Sequence, residues 1–144
     1  MNISETILDS PVSRAALPAT SVTATVLLVE DDAAVRRYLE IILRRAGYEV
    51  ICAANGIEAI KAALSANIDA VVTDAVMPQL NGHELCRYLR ARPELSHLPI
   101  MLLTGLEPNA TVHETNEHAD AHLTKPVCAE VFIDCLASLL RARN

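Results

Sequence analysis

The feature that most constrains this chain is an alternation. Short aliphatic runs rich in β-branched residues take turns with segments whose apolar residues recur at helical spacing. Residues 26–29 (VLLV) read as a buried strand, because a strand covered on both faces loses the polar half of the two-residue alternation. From 33 to 46, Val35, Leu39, Ile42 and Leu43 share one helical face, and Gly47 supplies the stop. The pattern continues with a strand at 48–52, a short helix at 57–64 entered after Asn55-Gly56, and a strand at 70–73 running straight into Asp74. Loop residues 78–82 lead to a helix at 83–91 with Leu85, Tyr88 and Leu89 on one face, then to a strand at 100–103. A strand at 121–124 and an amphipathic helix at 129–141, with Val131, Phe132, Cys135, Leu136, Leu139 and Leu140 inward, complete the series. The stretch 107–119 carries Pro108, Asn109, Thr111, Thr115 and Asn116, all poor helix formers, so the helix that the alternation requires there is expected to be short or mobile. Residues 1–23, with Pro11 and Pro18 and no sustained period, read as a flexible leader, and 24–144 as one domain. Five strands alternating with five helices predict an α/β fold: a doubly wound parallel sheet with right-handed crossovers.

Composition narrows the function classes. Hydrophobic residues make up 51% of the 144-residue chain, yet Tyr38, Tyr48, Tyr88 and Phe132 are its only aromatics, so the core is built from aliphatic side chains. The net charge is −6, and the basic groups (Arg36-Arg37 with Arg44-Arg45, and Arg87 with Arg90 and Arg92) fall at helical spacing. They read as solvated helix faces or helix C-terminal charges, and no direct nucleic-acid contact is expected. Cys52, Cys86, Cys128 and Cys135 lie in hydrophobic segments without a C-x-x-C pair, and are expected to be buried, reduced thiols. No apolar run approaches the ~20 residues that span a bilayer, and the N-terminus is not a signal peptide, so a cytoplasmic location with no membrane contact is expected.

Ligands of open parallel sheets bind beyond the carboxyl ends of the strands. The first strand ends in Glu30-Asp31-Asp32, the third in Asp74, the fourth in Thr104-Gly105 and the fifth in Lys125-Pro126. Crowded carboxylates raise one another's pKa unless a cation compensates. Oxygen donors of this kind suit Mg²⁺ (or Mn²⁺), which binds through one or two carboxylates plus phosphate oxygens. An aspartate so placed is a competent nucleophile toward phosphorus, because the metal and Lys125 neutralise charge on the transferring group. Thr104 offers a hydrogen bond to a phosphoryl oxygen, and Gly105 leaves room for it. Each signal alone has a plainer reading: acids after a strand cap the next helix, as Asp32 is expected to do, and Lys-Pro is an ordinary turn. Their conjunction at four strand ends favours the chemistry.

With these residues in place the chain resembles the receiver domain of two-component response regulators, over residues 24–141. The matching pieces are V-E-D-D at 29–32, D-A-V-M-P-Q-L-N-G at 74–82, L-L-T-G at 102–105 and L-T-K-P at 123–126. The resemblance implies a flavodoxin-like, chemotaxis-regulator-like sheet in the order 2-1-3-4-5. It implies Asp74 as the acceptor of a phosphoryl group from the phosphohistidine of a sensor histidine kinase. Asp31 then matches the direct metal ligand, Glu30 the acid that holds a metal-bound water, and Val76 the position whose backbone carbonyl reaches the metal. Thr104 matches the switch hydroxyl, Lys125 the lysine that pairs with the phosphoryl group, and Lys125-Pro126 a cis peptide. The only catalysis implied is self-phosphorylation and self-dephosphorylation, so the chain is not expected to be an enzyme.

Departures from the family pattern shape further expectations. Three residues before Lys125 the family commonly has an aromatic ring that swings inward on activation; here it is His122, either a plain surface replacement or a switch with added pH sensitivity. Val76 and Leu106, two residues beyond Asp74 and Thr104, are apolar where the family's side chains influence the hydrolytic water, which predicts slow self-dephosphorylation. Only three residues follow Arg141, so no fused output module is expected. The implied partners are a sensor kinase and a downstream effector protein, with a phosphorylation-dependent dimer as an option. Two alternatives are a relay to a histidine phosphotransfer protein and a pseudo-receiver that never takes phosphate. A flavodoxin-type binder is disfavoured because Glu30-Asp31-Asp32 repels phosphate, and an aspartate phosphatase because Val76 stands where its second acid belongs.

Overall fold

The computed structural model describes residues 23–105 and 118–142. Its strands are β1 (Thr25–Val29), β2 (Glu49–Ala53), β3 (Ala70–Asp74), β4 (Ile100–Thr104) and β5 (Ala121–Thr124); its helices are α1 (Ala33–Arg45), α2 (Gly56–Ser65), α3 (Gly82–Ala91) and α4 (Ala129–Ala142). All strand pairs are parallel, in the order β2-β1-β3-β4-β5. This is the expected doubly wound sheet. The fifth helix expected at 107–119 falls mostly on residues 106–117, outside those described, and the leader at 1–23 falls outside them up to residue 22.

Strand alternation splits the core into two layers. Leu27, Val29, Val71, Ile100 and Leu102 point to one face, where Ala59 and Ala63 of α2 and Leu85, Cys86 and Leu89 of α3 cover them. Val26, Leu28, Val72, Met101 and Leu103 point to the other, beneath Leu39 and Leu43 of α1 and Phe132 and Leu136 of α4. Central β3 is buried at every position, including Thr73 and Asp74. β5 lies at the sheet edge and alternates between half-buried (Ala121, Leu123) and exposed (His122, Thr124) residues.

Local chemistry sets the helix starts. Asp32 caps α1, its Oδ1 accepting from the N–H groups of Ala34 at 2.9 Å and Val35 at 3.1 Å. Asn81 and Glu84 form a reciprocal capping box at α3. Asn55 caps α2 by accepting from the Glu58 N–H at 2.9 Å. Gly47, at φ 99°, turns the chain after α1 in a conformation that side chains resist.

Two burial expectations need correction. Cys86 is buried, but Cys52 and Cys128 are exposed and Cys135 is half-buried. Cys52 sits on the edge strand β2 and Cys128 in the loop before α4, where hydrophobic neighbours in sequence do not become neighbours in space. Val131 is likewise 53% exposed, because the inward stripe of α4 is carried by Phe132 and Leu136.

Arg90, read from sequence as a solvated charge, is a junction. Its guanidinium donates to the backbone oxygens of His118 (2.9 Å), Ser96 (3.0 Å) and Leu98 (2.6 Å) and to Asp120 Oδ2 (2.6 Å). Asp120 Oδ2 also accepts from the Ile100 N–H at 2.8 Å, so one ion pair ties the starts of β4 and β5 to α3.

Candidate functional site

The carboxyl ends of β1 and β3 lie side by side, with Val29 in register with Thr73. The next residues, Glu30 and Asp74, therefore emerge together. Oxygens of Glu30, Asp31 and Asp74 all lie within 4.8 Å of one another. Glu30 is 1% exposed and Asp74 6%, whereas Asp31 is exposed. Three carboxylates thus share one small volume, two of them shielded from water.

Lys125 supplies the counter-charge. It follows directly on β5, and its N–H donates to the Thr104 carbonyl at 2.7 Å, which sets its height on the sheet. Its Nζ lies 2.8 Å from Glu30 Oε1 and 3.2 Å from Asp74 Oδ2. Burial works against the ammonium, but the hydrogen bond to Glu30 and the charges of Asp74 and Glu30 outweigh it and hold the Lys125 pKa above the usual lysine value. Burial, reinforced by the charge of Asp74, raises the Glu30 pKa; the bonds from Lys125 and from the Asp32 amide (3.1 Å) only partly offset this. One ammonium does not neutralise three acids. The donor set is all oxygen, compact and still net negative, and so fits a hard divalent cation.

The remaining expected residues are placed with less contact. Thr104 ends β4, one residue beyond Leu103, the partner of Asp74, and its hydroxyl lies 3.4 Å from the Leu123 carbonyl. Val76 is 69% exposed, with its N–H a long 3.4 Å from Asp74 Oδ1. His122 is an exposed residue of β5 in register with Leu102; among the described residues no hydrogen bond ties it to the acids. Leu106 lies outside the described residues. The Lys125–Pro126 peptide is cis.

Two residues touch the site that the sequence reading did not assign to it. Arg36 Nη1 donates to the Glu30 carbonyl at 2.7 Å; its position in the first turn after the Asp32 cap was the available signal. Gly82, the last residue of the β3–α3 motif, leaves no room for a Cβ against the Asp74 carbonyl and the Ala75 Cα. A side chain there presses directly on the backbone of Asp74.

A doubly wound parallel sheet carrying clustered acids, a lysine and a hydroxyl at its carboxyl edge places them where the ligands of open α/β sheets bind. Comparison with known proteins gives the family. The model for the response regulator receiver domain matches residues 26–137, and the chain belongs to that family as a receiver domain of a two-component system. The response regulator MprA of Mycobacterium sp. (strain KMS) is 38% identical over 117 residues, 81% of this chain and 50% of that protein. The chain therefore spans about half the length of the curated relatives it matches. Among solved structures, the signal receiver domain of a signal transduction histidine kinase from Syntrophus aciditrophicus is 32% identical with a TM-score of 0.78, covering 83% of this chain and 92% of that one. The response regulator TrrA from Thermotoga maritima, in complex with Mg²⁺-BeF, is 28% identical with a TM-score of 0.73, covering 81% of this chain and 99% of that one.

Proposed function

We propose that this receiver accepts a phosphoryl group on Asp74 from the phosphohistidine of a sensor histidine kinase. A carboxylate oxygen of Asp74 attacks phosphorus, the P–N bond to the imidazole breaks, and an acyl phosphate forms. The observation that carries this reading is Lys125 bridging Glu30 and Asp74, which sets a cation beside a buried carboxylate. Lys125 attracts the incoming phosphoryl oxygens, and Thr104 donates to one of them after rotating from the Leu123 carbonyl.

Glu30, Asp31 and Asp74, with the Val76 carbonyl, would hold Mg²⁺ or Mn²⁺. When bound, the ion neutralises charge on the transferring group. Asp31, exposed and beside the two buried acids, suits direct ligation. Glu30, engaged by Lys125 and the Asp32 amide, suits holding a metal-bound water. The Mg²⁺-BeF complex of the TrrA regulator supports this reading by analogy of fold and family.

The chain acts as a regulatory phosphoacceptor rather than as an enzyme on an external substrate. Its signal passes to a downstream effector protein through a phosphorylation-dependent change in its binding face. Among the described residues no helix is long and apolar enough to cross a membrane, and a cytoplasmic location belongs to the same proposal. Incubation with Mg²⁺ and acetyl phosphate, followed by intact-mass measurement, tests the reading. A phosphate-sized addition that is lost in Asp74→Asn is expected; an unmodified wild-type chain overturns it.

A further inference from the structure

We propose that Arg36 is a positioning residue of the acid site, holding the peptide unit that aims Asp31; the inference rests on the metal-binding reading above. Asp31 is exposed, and among the described residues no hydrogen bond holds its carboxylate. The place from which that carboxylate sets out is therefore decided by the backbone alone. On one side the backbone is fixed: the Glu30 N–H donates to the Ala53 carbonyl at 3.1 Å, and the Glu30 side chain is gripped by Lys125 and the Asp32 N–H. On the other side Asp32 is locked as the cap of α1.

What remains is the peptide unit between Glu30 and Asp31. It is planar, so holding its oxygen fixes the orientation of the plane from which the Asp31 Cα and Cβ project. Its oxygen accepts from Arg36 Nη1 at 2.7 Å, and no other hydrogen bond to this unit occurs among the described residues. A bond from a charged donor is roughly twice as strong as a neutral one. The Arg36 N–H makes the ordinary first-turn helix bond to the Asp32 carbonyl at 2.8 Å, which any residue there retains, so only the side-chain bond is lost on substitution. Arg36 is half-buried, and its neighbour Arg37 is a contrast: a 68% exposed side chain that reaches only Glu40, at 3.3 Å.

Charge and geometry make opposite predictions here. A guanidinium acting only as a nearby positive charge repels Mg²⁺, and removing it tightens metal binding. A guanidinium that orders the Asp31 peptide has the reverse effect, because the metal site must then be organised at the moment of binding. Residues that orient a metal ligand typically contribute about 10- to 100-fold to affinity.

Calorimetric titration of the full chain with Mg²⁺, without any phosphodonor, separates the two. Arg36→Met keeps the hydrophobic stem and helix propensity, and its fold is checked by circular dichroism. Its Mg²⁺ Kd is expected to rise about tenfold, which is 1.4 kcal/mol, while Arg37→Met stays near wild type. An Arg36→Met chain that binds Mg²⁺ as tightly as wild type, or more tightly, overturns the proposal. Should that variant not fold, Arg36→Lys carries the same comparison. It keeps the charge but ends one bond short of the carbonyl, so weaker binding is expected and equal or tighter binding overturns. A wild-type chain that does not bind Mg²⁺ at all sinks the metal reading itself. Wild-type binding with unchanged variants sinks only the role of Arg36.

Discussion

Lys125 and Glu30 meet at 2.8 Å with very different access to water: the lysine side chain is 27% exposed and the glutamate 1%. The glutamate depends on the lysine more than the reverse, since water still reaches one partner and hardly the other. Asp74, 3.2 Å from the same Nζ, shares the dependence.

Removing one partner of a fully buried pair costs about 3–5 kcal/mol, and the partial exposure of the lysine lowers the expected loss for Lys125→Met to roughly 2 kcal/mol at neutral pH. The sign with pH follows from the raised Glu30 pKa. The folded state favours protonated Glu30, so this group's contribution to stability is present below the ordinary glutamate range and is lost as pH rises through its folded pKa. The Lys125 pKa is also raised, so its contribution is complete at neutral pH and disappears only in strong alkali. The gap between variant and wild type therefore narrows at acid pH, where Glu30 takes a proton and no longer needs the lysine. Urea denaturation at neutral pH and near pH 4 checks this; a gap independent of pH contradicts it.

Gly82 and Gly47 are expected to respond differently to alanine. At Gly82 the added methyl runs into the Asp74 carbonyl and the Ala75 Cα, rigid neighbours that cannot swing aside. Overpacking of this kind costs about 1–3 kcal/mol, and contact with backbone puts Gly82→Ala at the upper end. Gly47 has open space around it and only its φ of 99° to maintain, so Gly47→Ala loses roughly 1 kcal/mol. Only Gly82→Ala should also slow modification by acetyl phosphate. Equal rates for the two variants, at matched folded fraction, would remove Gly82 from the site.

If Asp74 takes the phosphoryl group as proposed, Val76 is expected to lengthen the lifetime of the modification. The side chain is 69% exposed beside Asp74 but has no polar atom with which to orient a hydrolytic water. Phospho-Asp74 in wild type is expected to decay severalfold more slowly than in Val76→Asn, followed by loss of the mass addition over time. A wild type that decays faster than the variant refutes the point.

Cysteine reactivity gives a test away from the site. Cys52 is exposed as a residue, yet burial of its thiol, with the charge of Glu40 adding, raises its pKa. Its alkylation by iodoacetamide should consequently need a higher pH than a free thiol does, and buried Cys86 should stay unmodified until the chain unfolds. Mass mapping after short exposures at several pH values reads both. Rapid labelling of Cys52 at neutral pH would count against the shielding.

The sheet was legible because buried parallel strands leave a plain mark, as VLLV at 26–29 shows, and strand ends such as Asp74 follow once the strands are placed. Glu30, Asp31, Asp74 and Lys125 converge as the strand ends require. The side chains that fooled the reading are those whose neighbours depend on tertiary packing. Cys52 sits among apolar residues in sequence but on an outer strand in space. Arg90 and Arg36 resemble solvated charges because helical spacing says nothing about which carbonyl a long side chain will reach. Backbone acceptors at strand ends are invisible in a string of residue types, and long arginines find them.

The bond between Lys125 and Glu30 joins positions 95 apart in the chain. As a ribosome extends the polypeptide, Glu30, Asp31 and Asp74 are all made well before their lysine. Without that ammonium, the two shielded carboxylates at the ends of β1 and β3 would face each other uncompensated. The last strand therefore does more than extend the sheet by one place. It carries the ammonium that lets the acid pair sit together, so the edge of the sheet steadies the seam between β1 and β3.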